Sequence, residues 1–303
     1  MYRVNRVLSR TINFLFYLLF AMVPFSAVAQ DLSEVEIQTV KVAEGIYMLQ
    51  GQGGNIGLSV GADGVFMIDD QFAPLSEKIQ RAVAQLTDQP VRFLINTHWH
   101  FDHTGGNENF GQGGAVIVAH DNVRERLLKG QTMAAFNKEI PPAPKVALPV
   151  ITFDRGVTFH WNNETLEVLH PAPAHTDGDA VIYFKDANVV HTGDLYFNGF
   201  YPFIDAGSGG SVAGVIAGVT EVLARIDENT KVIPGHGQLS NKAELTAYRD
   251  MLKTLYGRIK ALKEQGKSLE EVKAAKPTAD YDAQWGGGFL APEVWVELVY
   301  SAI

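Results

Sequence analysis

Four side chains able to bind a metal fall within six residues of this chain, in the run Asn96-Thr97-His98-Trp99-His100-Phe101-Asp102-His103. Imidazole nitrogens and carboxylate oxygens are donors that zinc takes in a tetrahedral or slightly larger shell. His98 and His100, two apart in a tight loop, can point at one ion, and Asp102 and His103 can then turn toward a second. Gly105 and Gly106 let the backbone turn away sharply afterwards. Three further candidates lie downstream, each beside glycine or proline. They are His175 in Ala174-His175-Thr176, Asp194 in Thr192-Gly193-Asp194 and His236 in Pro234-Gly235-His236-Gly237. The chemistry such a set suits is activation of water on bound metal.

Donors scattered over about 140 positions meet only if a scaffold collects them. Val91 to Ile95 is a short apolar run typical of a buried strand, and the polar stretch 96–114 follows it directly. His175 precedes a strand expected at Ala180–Phe184, Asp194 follows one at Val189–His191, and His236 follows one at Lys231–Ile233. Further strands are expected within 38–69, at 115–119 and between 150 and 170. Helical spacing marks about 74–86, 121–129 with Asp121 as N-cap, 212–226 and 244–264. Strand clusters interleaved with helices imply α/β layers, with no linker dividing residues 30–303. The stretch 131–150, with Pro141, Pro142, Pro144 and Pro149, reads as a long loop and a candidate lid.

Composition narrows the function classes. The total charge of −9 includes +3 from Arg3, Arg6 and Arg10, leaving −12 on residues 30–303. So acidic a chain gains nothing from the counterion release that drives nucleic-acid binding, and an anionic membrane repels it. The expected partner is a small molecule, and the oligomeric state is open. The absence of cysteine excludes disulfides, thiolate ligands and cysteine nucleophiles. Arginines followed by an apolar run over 12–25 and then Ala27-Val28-Ala29 form the parts of a cleavable signal peptide, residues 1–29. The expected location is periplasmic or secreted, with no membrane attachment after cleavage.

The motif His-x-His-x-Asp-His at 98, 100, 102 and 103, followed in order by His175, Asp194 and His236, resembles the metallo-β-lactamase superfamily over roughly residues 38–265. The resemblance implies a four-layer αββα sandwich with the site along one edge of the sheets. It implies two zinc ions, the first on His98, His100 and His175 and the second on Asp102, His103 and His236, with Asp194 bridging both. Two cations sharing a water would lower its pKa from about 15.7 toward 7 and yield hydroxide to attack a carbonyl or phosphoryl centre. Asp102 could also hydrogen-bond that nucleophile, and Tyr196 or Asn198 could reach the oxygen that gains charge. Asp69 either braces the metal loop from behind or, like Asp70, caps a turn. Trp99 and Phe101 are packing residues or site walls, and His120, His160, His170 and His191 are left to structural roles.

Export and a second-metal set containing His103 favour a β-lactamase-like hydrolase. The bridging Asp194 instead resembles the glyoxalase II, lactonase and phosphodiesterase branches. Some β-lactamases of this family place a substrate-binding lysine where this chain has Phe197, so modest lactam hydrolysis is expected. A phosphatase or phosphodiesterase, or a lactone or thioester hydrolase, is the alternative. A non-catalytic periplasmic metal-binding protein is the other class, disfavoured because all seven ligands are present.

Overall fold

The computed structural model describes residues 32–133 and 138–303. The expected signal peptide, 1–29, lies outside the described residues. Residues 32–303 form one compact unit. Its strands are β1 (Gln38–Ala43), β2 (Ile46–Gln50), β3 (Ile56–Gly61), β4 (Gly64–Ile68), β5 (Val91–Ile95), β6 (Val116–His120), β7 (Gln131–Met133), β8 (Lys138–Ile140), β9 (Ile151–Phe153), β10 (Gly156–Trp161), β11 (Glu164–Leu169), β12 (Val181–Phe184), β13 (Val189–His191), β14 (Lys231–Ile233) and β15 (Ser240–Asn241). The helices are α1 (Ser76–Ala84), α2 (Phe101–Thr104), α3 (Asn107–Gln112), α4 (Asp121–Lys129), α5 (Val212–Arg225), α6 (Lys242–Glu264), α7 (Leu269–Ala274), α8 (Asp282–Trp285) and α9 (Pro292–Ala302).

Two sheets stack. One runs β1-β2-β3-β4-β5-β6-β9 and the other β10-β11-β12-β13-β14-β15. The alternation of side chains along a strand assigns each to a layer. In β4, Phe66 and Ile68 enter the core between the sheets with Leu166, Val168, Ile182 and Phe184. Val65 and Met67 point the other way, against Leu75, Ile79 and Phe110 from the helical face. Behind the second sheet, Val181 and Tyr183 meet Val215, Val219, Tyr248, Leu252 and Trp295 of α5, α6 and α9. The result is the αββα order that the resemblance implies. No helix among the described residues is long and apolar enough to cross a membrane.

Strand direction places the site. β4, β5 and β6 are mutually parallel, as are β13 and β14, while β12 is antiparallel to β13. The ends of β4, β5, β13 and β14 and the start of β12 are therefore the places where the chain leaves a sheet next to Asp69, His98, Asp194, His236 and His175.

Three local expectations are corrected. The stretch 131–150 is not an irregular loop: β7 and β8 pair antiparallel, and a 3-10 turn spans Lys145–Ala147. The polar stretch after β5 holds α2 and α3. Helix α4 is capped by the His120 ring, which accepts from the Asn122 N–H, while Asp121 is its first residue. Beyond these, the tail past 265 forms α7, α8 and α9, burying Trp285 and Trp295 in the core behind the second sheet.

Candidate metal centre

Seven donors from four loops converge at this edge. One ligand atom each from His98, His100, His175 and Asp194 lie within 4.8 Å of one another, and so do those of Asp102, His103 and His236. Asp194 stands between the groups. Its Oδ1 is 3.2 Å from His103 Nε2, and its Oδ2 is 3.4, 3.5 and 3.7 Å from Nε2 of His236, His175 and His98. Asp102 Oδ2 is 3.6 Å from His103 Nε2 and 3.4 Å from His236 Nε2.

The outer hydrogen bonds decide which ring nitrogen faces inward, because a neutral imidazole carries one proton. His175 Nδ1 donates to the Phe203 carbonyl at 2.9 Å, which can only accept, so its Nε2 is bare. His100 Nε2 donates to Asp205 Oδ2 at 3.0 Å, so its Nδ1 is bare. Thr97 Oγ1 donates its single proton to Asp69 Oδ2 at 2.7 Å and accepts from His98 Nδ1 at 3.0 Å, leaving His98 Nε2 bare. These three bare nitrogens meet at 3.0 and 2.9 Å. Lone pairs repel at that distance unless a cation lies among them. Zinc–nitrogen bonds of about 2.0–2.1 Å in a tetrahedron put nitrogens roughly 3.3 Å apart, close to this spacing. The residues fit a divalent metal ion.

Charge argues the same way. Burial, reinforced by the neighbouring His103, drives His98 well below its ordinary value, and burial takes His175 down to about 3, so both stay neutral. In the second group burial also pushes His103 and His236 down, but the carboxylates win. Asp194, Asp102 and Asp69 hold His103 well above its usual value, and Asp194 and Asp102 bring His236 to about 9. Burial opposes ionisation of Asp102, yet His103 and His236 carry it down to about 2. Without metal, protons occupy the place a cation would take. Metal must displace at least one of them, so affinity at this group is expected to rise about tenfold per pH unit per proton between pH 7 and 9. Competition against a chromophoric chelator at pH 7 and 8 measures this, and a flat response would refute it. The metal-free fold shows the converse. The His236 contribution to stability is complete below its unfolded value of about 6.5 and is lost as pH rises through about 9.

Behind the donors, Asp69 accepts from the Thr97 N–H (2.7 Å), the Thr97 hydroxyl (2.7 Å) and His103 Nδ1 (2.8 Å). Asp70 turns away to accept from the Gly106 N–H at 2.8 Å, and burial raises it well above the usual carboxylate range. Of the two readings of Asp69, the geometry is that of a brace. Asp69 and Gln71 both hold positive φ, 59° and 57°. Such non-glycine strain persists only where surroundings over-determine it, here three hydrogen bonds to Asp69 and the Gln71 amide on the Gly54 carbonyl. Close packing is a further demand. A Cβ on Gly54 would lie 2.1 Å from the His103 ring, and one on Gly235 would lie 2.1 Å from Asp194 Oδ1.

Tyr196 and Asn198 do not reach the site. The Tyr196 hydroxyl bonds Asn198 Oδ1 and Ser240 Oγ, both at 2.9 Å, and the Asn198 amide donates to the Gln238 carbonyl. After the 3-10 turn Gly193–Leu195 the chain is extended, so alternate residues face opposite ways and Phe197 takes the cavity side. Trp99 is buried with its Nε1 on Ser208 Oγ, and Phe101 is a wall. The other histidines are structural: His120 and His170 stack, His191 bonds the Asn55 carbonyl, and His160 is exposed.

Several contributors were missed from sequence. Asp205 sits behind His100, the Phe203 carbonyl behind His175 and Thr97 behind His98. The Asp179 carboxylate accepts from the N–H groups of His175 and Thr176, fixing the turn that carries His175. Asp205 is separated from His100 by 105 residues, and no periodicity marks it. Asp205→Ala is expected to weaken metal binding at the His98 group about 10–100-fold, because His100 loses its orienting partner. Unchanged affinity in a metal titration would show the contact to be incidental.

The donors open into a cavity of about 330 Å³ lined by Gly51, Gln52, Gly53, Phe72, Phe101, Met133, Phe197, Phe200, Phe203 and Phe289 together with His100, Asp102, Asp194 and His236. Phe197 stacks on the His236 ring, 5.0 Å between centroids and 18° between planes. Phe289 comes from the tail past α8.

Comparison with known proteins agrees with the fold. A "Probable metallo-hydrolase" of Bacillus subtilis (strain 168) is 31% identical over 190 residues, 58% of this chain and 85% of that protein. The alpha subunit of 2,4-dinitroanisole O-demethylase from Nocardioides sp. (strain JS1661) is 26% identical over 46% of this chain. A hydroxyacylglutathione hydrolase of Pelagibacter ubique (strain HTCC1062) is 25% identical over 48%. The chain spans 40% of that subunit's length and 52% of that hydrolase's. Among solved structures, the sec-alkylsulfatase Pisa1 from Pseudomonas sp. superposes with a TM-score of 0.68 at 18% identity, over 88% of this chain and 50% of its own. The DIM-1 metallo-beta-lactamase does so with a TM-score of 0.59 at 18% identity, over 73% of this chain and 99% of its own. The family model that matches, over residues 51–236, begins at the first cavity-lining glycine and ends on the last of the seven donors. Matched across more than half its length, the chain belongs to the metallo-beta-lactamase superfamily.

Proposed function

We propose that this protein is a zinc-dependent hydrolase of small carbonyl substrates bearing an apolar body, with two ions held by the groups described and with at most modest β-lactam turnover. The observation that carries it is the convergence of bare imidazole nitrogens whose outer hydrogen bonds leave them no other use. Metal bound there supplies Lewis acidity toward the substrate oxygen and a water acidified toward neutrality. Asp102 lies at the cavity, ionised, and is placed to accept a hydrogen bond from the attacking water and orient it. The six phenylalanines dehydrate and position the apolar body, which strengthens every electrostatic interaction at the reacting carbonyl.

Aromatic walls favour esters, thioesters, lactones or lactams over phosphoesters, whose charge an apolar pocket serves poorly. Phe197 offers no charge to a lactam carboxylate. The names of several relatives, hydroxyacylglutathione hydrolase and acyl-coenzyme A thioesterase, support thioester cleavage as the second reading. The test is turnover by zinc-loaded protein on nitrocefin, 4-nitrophenyl butyrate, S-butyryl thiocholine and bis-4-nitrophenyl phosphate. Phosphoester turnover exceeding all others would overturn the carbonyl reading, and silence on all four with metal bound would overturn the hydrolase. The signal-peptide residues at 1–29 support export, which a mature N-terminus at Gln30 in protein recovered from a periplasmic fraction would verify.

A further inference from the structure

The β7–β8 hairpin carries a charge toward the cavity that the seven donors do not explain. Met133 and Lys138 are register partners, and residues directly opposite in an antiparallel pair project on the same face. Met133 is buried and lines the cavity, so Lys138 leaves the hairpin on that side too. Its Nζ lies 3.4 Å from the centre of the Phe101 ring, a cavity wall immediately before Asp102. Among the described residues that line the cavity there is no lysine or arginine, and Lys138 reaches Phe101 from beside that lining. The hairpin is anchored on both strands. Ile140 packs on the core, and Arg126, itself clamped on Asp177, donates to Gln131 Oε1 at 2.9 Å.

An ammonium over an aromatic face is only weakly held and still has donors directed away from the ring. A desolvated carboxylate makes the stronger partner. We propose that Lys138 is the specificity-determining residue of this cavity and that the substrate carries, besides its scissile carbonyl and apolar body, a carboxylate that docks on Lys138. This rests on reading the cavity as the substrate pocket of a hydrolase. The anion anchor then comes from the hairpin and not from position 197, and it selects amphipathic monoacids over neutral esters.

Calorimetric binding of 3-phenylglutarate and 3-phenylbutyrate to the zinc-loaded full chain tests this without turnover. Both offer the metal centre a carboxylate and the walls a phenyl group, and only the first has a second carboxylate. The parent protein should bind 3-phenylglutarate at least about tenfold more tightly. In Lys138→Met that preference should fall below about threefold, with 3-phenylbutyrate affinity and Tm unchanged, and Lys138→Arg should keep it. An absent preference in the parent, a preference retained in Lys138→Met, or an equal weakening of both ligands with a lower Tm overturns the proposal. The last result would make Lys138 a staple holding the hairpin on Phe101. None of these results touches the hydrolase reading, which turnover alone decides.

Discussion

Asp194→Ala is expected to lower kcat/KM by at least about 1,000-fold on whichever substrate turns over, and to deplete bound metal. Among the described residues Asp194 is the one carboxylate that faces both donor groups, with Oδ1 toward His103 and Oδ2 toward His98, His175 and His236. Without it, the two donor groups, each of which would hold a cation, would lose the anion between them. Metal ions contribute several kcal/mol of transition-state stabilisation, and about 4 kcal/mol corresponds to three decades in rate. Two controls separate chemistry from folding. Asp194→Asn keeps the volume, so it should preserve the fold while losing activity to a similar extent. Metal content by atomic emission then reads the site itself. Either variant working within tenfold of the parent, with metal content unchanged, would remove Asp194 from the centre of the reading.

Asp69→Asn is expected to damage the site without touching it, weakening metal at the His103 group about 10–100-fold. The carboxylate accepts three hydrogen bonds, and two of them, from the Thr97 hydroxyl and His103 Nδ1, converge on Oδ2. An amide offers only one oxygen. If its nitrogen meets His103, the ring takes the other tautomer, with its proton on Nε2 facing Asp194, and can no longer bind metal. If its nitrogen meets the Thr97 N–H instead, two donors face each other in a site where Asp69 and Thr97 are buried. Metal titration monitored by imidazole NMR would show the tautomer directly. A parent-like His103 tautomer with parent-like affinity would mean that the brace is dispensable. Asp70→Asn is the matched comparison, because burial raises its carboxyl well above the usual carboxylate range and it turns to Gly106, and it should leave metal affinity within about threefold.

The seven donors were legible in sequence because each sits at a chain feature that short-range chemistry announces. Apolar runs such as Val91–Ile95 and Lys231–Ile233 must be strands, and the polar residue types that interrupt them must be at sheet edges. Long amphipathic helices were legible for the same reason: α6 buries Leu245, Tyr248, Met251, Leu252, Leu255 and Ile259 at helical spacing. The layered α/β architecture followed from the order of these elements.

The tertiary structure decided the rest. Asp205 and the Phe203 carbonyl orient His100 and His175 across 105 and 28 residues, and a hydrogen bond leaves no trace in spacing when its partners lie in different loops. Tyr196 and Asn198 lie two and four positions past Asp194, yet the extended backbone turns them to Ser240 and Gln238 and gives the cavity Phe197 instead. The proline-bearing stretch 131–150 became in part a hairpin because its three-residue strands pair only with each other, too short to show a period. Residue types and local period therefore determined which chemistry this chain can perform. Which nitrogen points inward, which carboxylate braces and which walls meet the substrate depended on contacts between distant loops, whose geometry only the packed layers supply.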